Sequence, residues 1–236
     1  MNSMFQQILI LGLCLPIGIF AGHFAVYAFN RLPEKWFCDY GEEPGKKLVS
    51  HGEKRIKSHP WKWSLSMAFT LIAIKLGMEN WQWGIPALIA IWILVEIMFS
   101  DRQYLIIPDQ FVAMLAITGF GFIPFHVDIL EPVWGMLLGL VPMLLIYSLG
   151  RLLYGKEIMG FGDVKLMGAI GFLAGPAGAV FTFATGFLAS GLFYGAGILM
   201  RKIHLKDEEP LGPFLALAAI IYLIFYKDLQ GMINIV

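Results

Sequence analysis

Apolar residues in this chain come in runs of about twenty, the length of helix that rises the roughly 30 Å of a bilayer's hydrocarbon core. The runs predict helices over residues 5–29, 61–78, 82–100, 110–127, 132–150, 164–180, 182–200 and 212–227. The expected fold is all-α, a polytopic membrane helix bundle of about eight transmembrane helices. Glu79-Asn80 is a tight turn, so 61–78 and 82–100 read as an antiparallel hairpin. The run after Asp163 is interrupted at Gly175-Pro176. Val164 to Gly175 would extend only about 18 Å, so this helix either continues through a kink or starts below the membrane surface. Pro33 stops the first helix, and 34–60 is the longest polar stretch, broken by Pro44, Gly45, Gly52 and Pro60. That stretch is too short for a core of its own. Residues 46–58 read as a short surface helix whose Lys and Arg either meet anionic headgroups or only enforce topology. The organisation is therefore 1–60, a first transmembrane helix with its loop, and 61–236, the main helix bundle.

Composition agrees with the pattern. Hydrophobic residues make up 58% of the 236 and charged residues 14%, where a soluble domain carries about a quarter charged. Mean hydropathy is +0.72. The net charge of zero hides an asymmetry. With the N-terminus outside, 15 of the 17 Lys and Arg fall on the cytoplasmic side, leaving Lys75 and Lys227 opposite. Loops 30–60, 101–109, 151–163 and 201–211 are then cytoplasmic. The lipid bilayer is the expected environment, and nucleic acid is not an expected partner. Residues 1–8 hold no Lys or Arg, so the first run reads as a retained anchor. Cys14 and Cys38 are far apart and form neither an expected disulfide nor a metal motif. Trp61, Trp63, Trp81 and Trp83 bracket 61–78 as interface anchors. Glycine pairs at four-residue spacing (Gly135 and Gly139, Gly171 and Gly175, Gly191 and Gly195) read as close helix packing within the chain. Oligomeric state is not readable.

Two aspartates at the edges of apolar runs are the candidate chemistry. Asp101 ends one run, and Asp163 closes Gly160-Phe161-Gly162-Asp163. Carboxylates beside hydrocarbon are costly and mark function by default. Both fall on the expected cytoplasmic side, which a pair needs. Two carboxyls at hydrogen-bonding distance cannot both ionise, so one serves as base and the other as acid, the arrangement that hydrolyses peptides without a metal or serine. Asp101 sits at a helix C-terminus, where the dipole disfavours negative charge and structure gives no reason for it. Asp163 has two readings, a catalytic acid or an N-cap. Asp109, after Pro108, reads first as an N-cap. Gly160 and Gly162 admit φ > 0 and close approach of a substrate strand. Arg102 and Lys165 flank the aspartates as tuning, substrate-binding or simply inside-facing charges. Glu96, inside its run, is a supporting candidate facing the bundle interior. Of the histidines, which show no ligand spacing, His23 in the first run is the one to test, since ionisable groups inside spans are rare.

Taken in order, these residues resemble the bacterial type IV prepilin peptidases, membrane aspartic proteases of the GxGD kind. Gly160 through Leu166 resembles the GxGDxKL motif. Asp101 through Asp109, with Ile107-Pro108-Asp109, resembles the first-aspartate motif. Gly22 through Pro33 resembles the N-terminal motif, and Pro210 through Leu217 the late Pro-Phe-Gly-Pro-x-Leu-Ala-Leu. The resemblance implies catalytic Asp101 and Asp163, with Gly160, Gly162, Lys165, Asp109 and Glu96 in support. It implies cleavage of short basic leaders from prepilins or pseudopilins at the cytoplasmic face of the cytoplasmic membrane. Proteolysis needs no cofactor. Many members also N-methylate the new N-terminus with S-adenosylmethionine. The chain departs from the pattern in its first loop, where the family often has two Cys-x-x-Cys pairs and this sequence has only Cys38, so no zinc is expected. His23 and Ala25 also differ from the family's residues, which leaves methylation open. A presenilin-like protease and a small transporter relaying protons through the aspartates are the alternatives. The N-terminal motif speaks against the first, and the absence of an internal repeat against the second.

Overall fold

In the computed structural model the described residues are 3–38, 55–155, 159–202 and 209–233. The expected surface helix over 46–58 falls mostly on residues outside these, as do Lys46, Lys47, Lys54, Lys156 and Lys206 among the inside-facing charges. The described elements are helical: α1 Ser3–Arg31, α2 Ser58–Tyr104, α3 Asp109–Gly119, α4 Glu131–Tyr154, α5 Phe161–Leu199, α6 Gly212–Ile224 and α7 Tyr226–Ile233. Single 3₁₀ turns occur at Glu34–Phe37 and Phe120–Phe125. Among the described residues four helices are long and apolar enough to cross a membrane: Gln7–Arg31, Ser58–Tyr104, Glu131–Leu153 and Phe161–Leu199. Asp109–Phe125 and Gly212–Ile224 are shorter apolar helices. The chain forms two compact units, Met1–Glu96 and Ile97–Val236.

In the first unit, α1 and the start of α2 meet through small residues at four-residue spacing. Gly18 lies against Thr70 and Gly22 against Ser66, while the Cys14 thiol donates to the Ala73 carbonyl at 3.2 Å. Each step up α1 is matched by a step back along α2, so the two run antiparallel. Small side chains are what membrane helices need to come this close. His23 belongs to the same seam, its Nδ1 lying 2.8 Å from Ser66 Oγ. Below it Asn30 bonds the Ile56 carbonyl and amide, and Arg55 donates to the carbonyls of Phe29, in the last turn of α1, and of Leu32, just beyond it. These bonds satisfy acceptors that a helix end leaves open.

The expected hairpin is present inside α2. Asn80 leaves the helix at φ −162°, ψ 101°. Its Oδ1 accepts from the Gln82 and Trp83 amides and so caps the second half of α2. A Cβ built on Gly84 would lie 3.2 Å from that of Leu76. Eight residues of straight helix would separate them by about 12 Å, so the chain folds back at Asn80. One anchor is corrected: Trp61, Trp63 and Trp81 are exposed, but Trp83 is buried, because the fold-back turns it inward.

The second unit is built around α5. Its first stretch packs on α4 through the expected glycines, with Gly135 on Gly171 and Gly139 on Met167. Gly191 and Gly195 meet nothing within 4 Å. The interruption at Gly175 is a break, with φ 69° and ψ −174°, a conformation essentially confined to glycine. After the break the chain reverses. Gly178 meets Tyr222 and Gly186 meets Leu215, so residues 176–199 run antiparallel to α6. α3 runs parallel to the first stretch, from Asp109 beside Lys165 to Gly119 beside Phe172. The end of α2 and the starts of α3, α5 and α6 therefore converge at one end of this unit.

Candidate active site

At that converging end, α2 finishes on a left-handed residue, Leu105, with φ 57°. The Leu105 amide donates to the Asp101 carbonyl at 2.9 Å, the single bond of an αL helix end, made here without the usual glycine. Ser100 Oγ donates to the Ile106 carbonyl at 2.6 Å. The turn leads through Ile106 and Ile107 to Pro108, which is extended at φ −61°, ψ 129°. Ile107 then fills the space between two glycines. A Cβ on Gly162 would stand 3.1 Å from Ile107 Cβ, and one on Gly212 would stand 3.1 Å from Ile107 Cδ1.

Asp101 and Asp163 are 5% and 7% exposed, so each carboxyl is almost wholly withdrawn from solvent. Gly162, the neighbour of Asp163, packs on Ile107, which also lies against Gly212, the residue bonded to Asp101. Asp101 Oδ2 accepts the Gly212 amide at 2.9 Å. Gly212 is the first residue of α6 and Pro213 the second. Its N–H is one of those a helix cannot satisfy internally, and Asp101 takes it. A side chain at 212 would meet that oxygen at 2.7 Å, so only glycine fits. A hydrogen bond to a charged group contributes about 1.5–3 kcal/mol, and a helix end about 0.3–1. The bond from Gly212 therefore outweighs the opposing dipole of α2.

Asp163 stands in the first turn of α5, whose N-cap is Gly160 without a side-chain cap bond. The capping alternative for Asp163 is thus set aside: it lies three residues inside the cap, and its Oδ1 is buried without a hydrogen-bond partner among the described residues. Asp109 is likewise not the cap of α3, a place held by Pro108. Its carboxylate instead binds Lys165 Nζ at 2.7 and 2.9 Å, and Lys165 also lies 5.2 Å from the Phe161 ring centre. The glycines play a different part from the expected one. Gly160 has ordinary φ −66°, ψ 138°, and the positive-φ glycines among the described residues are Gly155 and Gly175. What Gly160 and Gly162 supply is room, the first beside Asp163 Oδ2 and the second under Ile107. Glu96, at the end of the first unit, is fully buried as expected, and neither carboxylate oxygen has a partner among the described residues.

The structure thus brings together Asp101, Asp109, Gly160, Gly162, Asp163 and Lys165, and adds Gly212. The sequence signal for Gly212 was its place in the Pro210–Leu217 motif, which resemblance noticed and side-chain chemistry passed over.

A helical, multi-pass membrane protein with two buried aspartates at one end of its bundle is the class these features define. The model of the type IV leader peptidase family matches residues 88–196. The prepilin leader peptidase/N-methyltransferase of Aeromonas salmonicida (strain A449) is 33% identical over 146 residues, 61% of this chain and 50% of that protein. The protein of the same name from Aeromonas hydrophila is 35% identical over 147 residues, 61% and 50% of the two chains. Leader peptidase HopD of Escherichia coli is 36% identical over 129 residues, 51% of this chain and 80% of that protein. The chain belongs to the type IV leader peptidase family. It aligns with about half the length of the Aeromonas relatives. No solved structure matches it.

Proposed function

We propose that this protein is a membrane-embedded aspartic endopeptidase that removes the short basic leader from type IV prepilin-like proteins. The observation that carries the reading is the pair Asp101 and Asp163, drawn from separate helices, both buried, and joined at one end of the unit through Ile107, which packs on Gly162 and Gly212. Family membership supports the substrate class. One carboxylate takes a proton from water as its oxygen bonds to the scissile carbonyl carbon, and the other carboxyl gives its proton to the carbonyl oxygen. Collapse of the gem-diol breaks the C–N bond. The amine takes a proton from the first carboxyl, and a diol hydroxyl returns one to the second. Asp101 and Asp163 are the catalytic residues, with Gly160, Gly162, Lys165 and Asp109 positioning them.

The chain crosses the cytoplasmic membrane about eight times with its N-terminus outside, which the charge asymmetry supports. The aspartates then open to the cytoplasm, where a basic leader would lie. The first cytoplasmic loop, where N-methylation and zinc are weighed, falls largely on residues 39–54, outside those described. The test is cleavage of a prepilin fragment in proteoliposomes, read by mass spectrometry. Wild type releases the leader; Asp101→Asn and Asp163→Asn each release none, and full cleavage by either variant overturns the reading. In the same spectrum an added methyl on the mature fragment, dependent on S-adenosylmethionine, decides the second activity.

A further inference from the structure

We propose that Gly212 divides the labour between the two aspartates: through its backbone N–H it holds Asp101 as the ionised base, leaving Asp163 as the protonated acid. This rests on the reading of the pair as a catalytic dyad and adds a role for each member. Two carboxyls that share a proton can hold it on either one, and an asymmetric surrounding decides which.

The surroundings here are unequal. Asp101 Oδ2 accepts a buried N–H from the first residue of α6 at 2.9 Å. That N–H can only donate, so it favours the carboxylate form. Asp163 Oδ1 is buried and has no hydrogen-bond partner among the described residues. A charge in such a place costs far more than the neutral acid does. Helix ends by themselves favour charge on Asp163, which lies in the first turn of its own helix, over Asp101, which faces the start of α6 but also stands in the last turn of α2. That preference is weaker than a hydrogen bond to a charged group, so the bond from Gly212 decides. Lys165, the nearby cation of α5, is bound to Asp109 at 2.7 Å.

In the reaction, Asp101 removes the proton from the attacking water and Asp163 protonates the carbonyl oxygen. When the C–N bond breaks, Asp101 returns its proton to the amine and Asp163 takes one from the gem-diol. Both residues end in their starting forms. Gly212 touches no reacting atom and is a positioning residue. Its lack of a side chain is part of the device, since a Cβ there would stand 2.7 Å from the carboxylate oxygen and push it off the amide.

Infrared spectroscopy of the full chain in lipid at neutral pH, with isotope-labelled aspartate, tests the assignment. The label separates aspartate from the buried Glu96. Wild type should show one protonated aspartate C=O band, lost in Asp163→Asn and kept in Asp101→Asn. Any other pattern overturns the proposal. Loss of cleavage in both variants is expected under either assignment, so the dyad and its roles fail separately. For Gly212→Ala the acid limb of the pH–rate profile should move up by about one pH unit, because the base loses the donor that stabilises its charge. A lower rate with an unmoved acid limb would mean that Gly212 only fills space, and overturns its role.

Discussion

At the scale of single residues, Leu105 carries a cost. A left-handed conformation costs a residue with a Cβ about 1–2 kcal/mol, and Leu105 adopts it with its side chain 46% exposed. The cost is accepted where the turn sets Ile107 between Gly162 and Gly212. Leu105→Gly should relieve the strain without much loss of burial and raise stability by about 1 kcal/mol, seen as a higher thermal midpoint by circular dichroism. An unchanged or lower midpoint would mean that the Leu105 side chain stabilises the turn through packing. Asp101 was legible in the sequence because a carboxyl at a helix C-terminus has no structural reason, whereas Asp163 read equally as an N-cap until the ordered motifs were taken together. The amide of Gly212 was not legible, because nothing in a sequence tells which of a helix's open donors a distant side chain will take. The glycines beside Asp163 were legible as glycines, but the positive φ expected of them is absent. Their value is volume, which depends on Ile107 arriving from another helix.

At the scale of elements, Asp109 and Lys165 tie the start of α3 to the start of α5. Their side chains are 36% and 35% exposed, so solvent screens the pair. Such pairs contribute about 0.2–1 kcal/mol, and Asp109→Asn or Lys165→Gln should each lower cleavage up to about fivefold. The double variant should lose little more than either single one, since both remove the same contact. Additive losses in a double-mutant cycle would show that the two act independently. Helix pairing was partly legible. Gly135, Gly139 and Gly171 announced the α4–α5 contact by spacing alone. The seam of Gly18 and Gly22 with Ser66 and Thr70 uses mixed small residues, a weaker signal that a search for glycine pairs passes by.

At the scale of the whole molecule, the helical runs were legible, and so was the fold-back at Glu79-Asn80. The runs expected at 61–78 and 82–100 are two helices that reverse at Asn80, while the run expected at 164–180 breaks at Gly175, before its expected end. A polar turn residue marks the first reversal; the second rests on a backbone conformation of one glycine, which an apolar run signals only by that glycine and the proline after it. The proposed orientation is open to direct measurement. With Cys14 and Cys38 replaced by serine, a cysteine at Asp128 should react with a membrane-impermeant maleimide on intact cells. One at Gln103 should react only after permeabilisation, and the reverse pattern would invert the topology.

The bond from Gly212 to Asp101 joins residues 111 apart in the chain. During synthesis both aspartates are made well before that donor exists. On the proposed assignment the base is set only when α6 arrives and docks, so the pair is completed late in the chain's own assembly. A nascent chain stopped short of α6 would then carry both carboxyls without the donor that tells them apart.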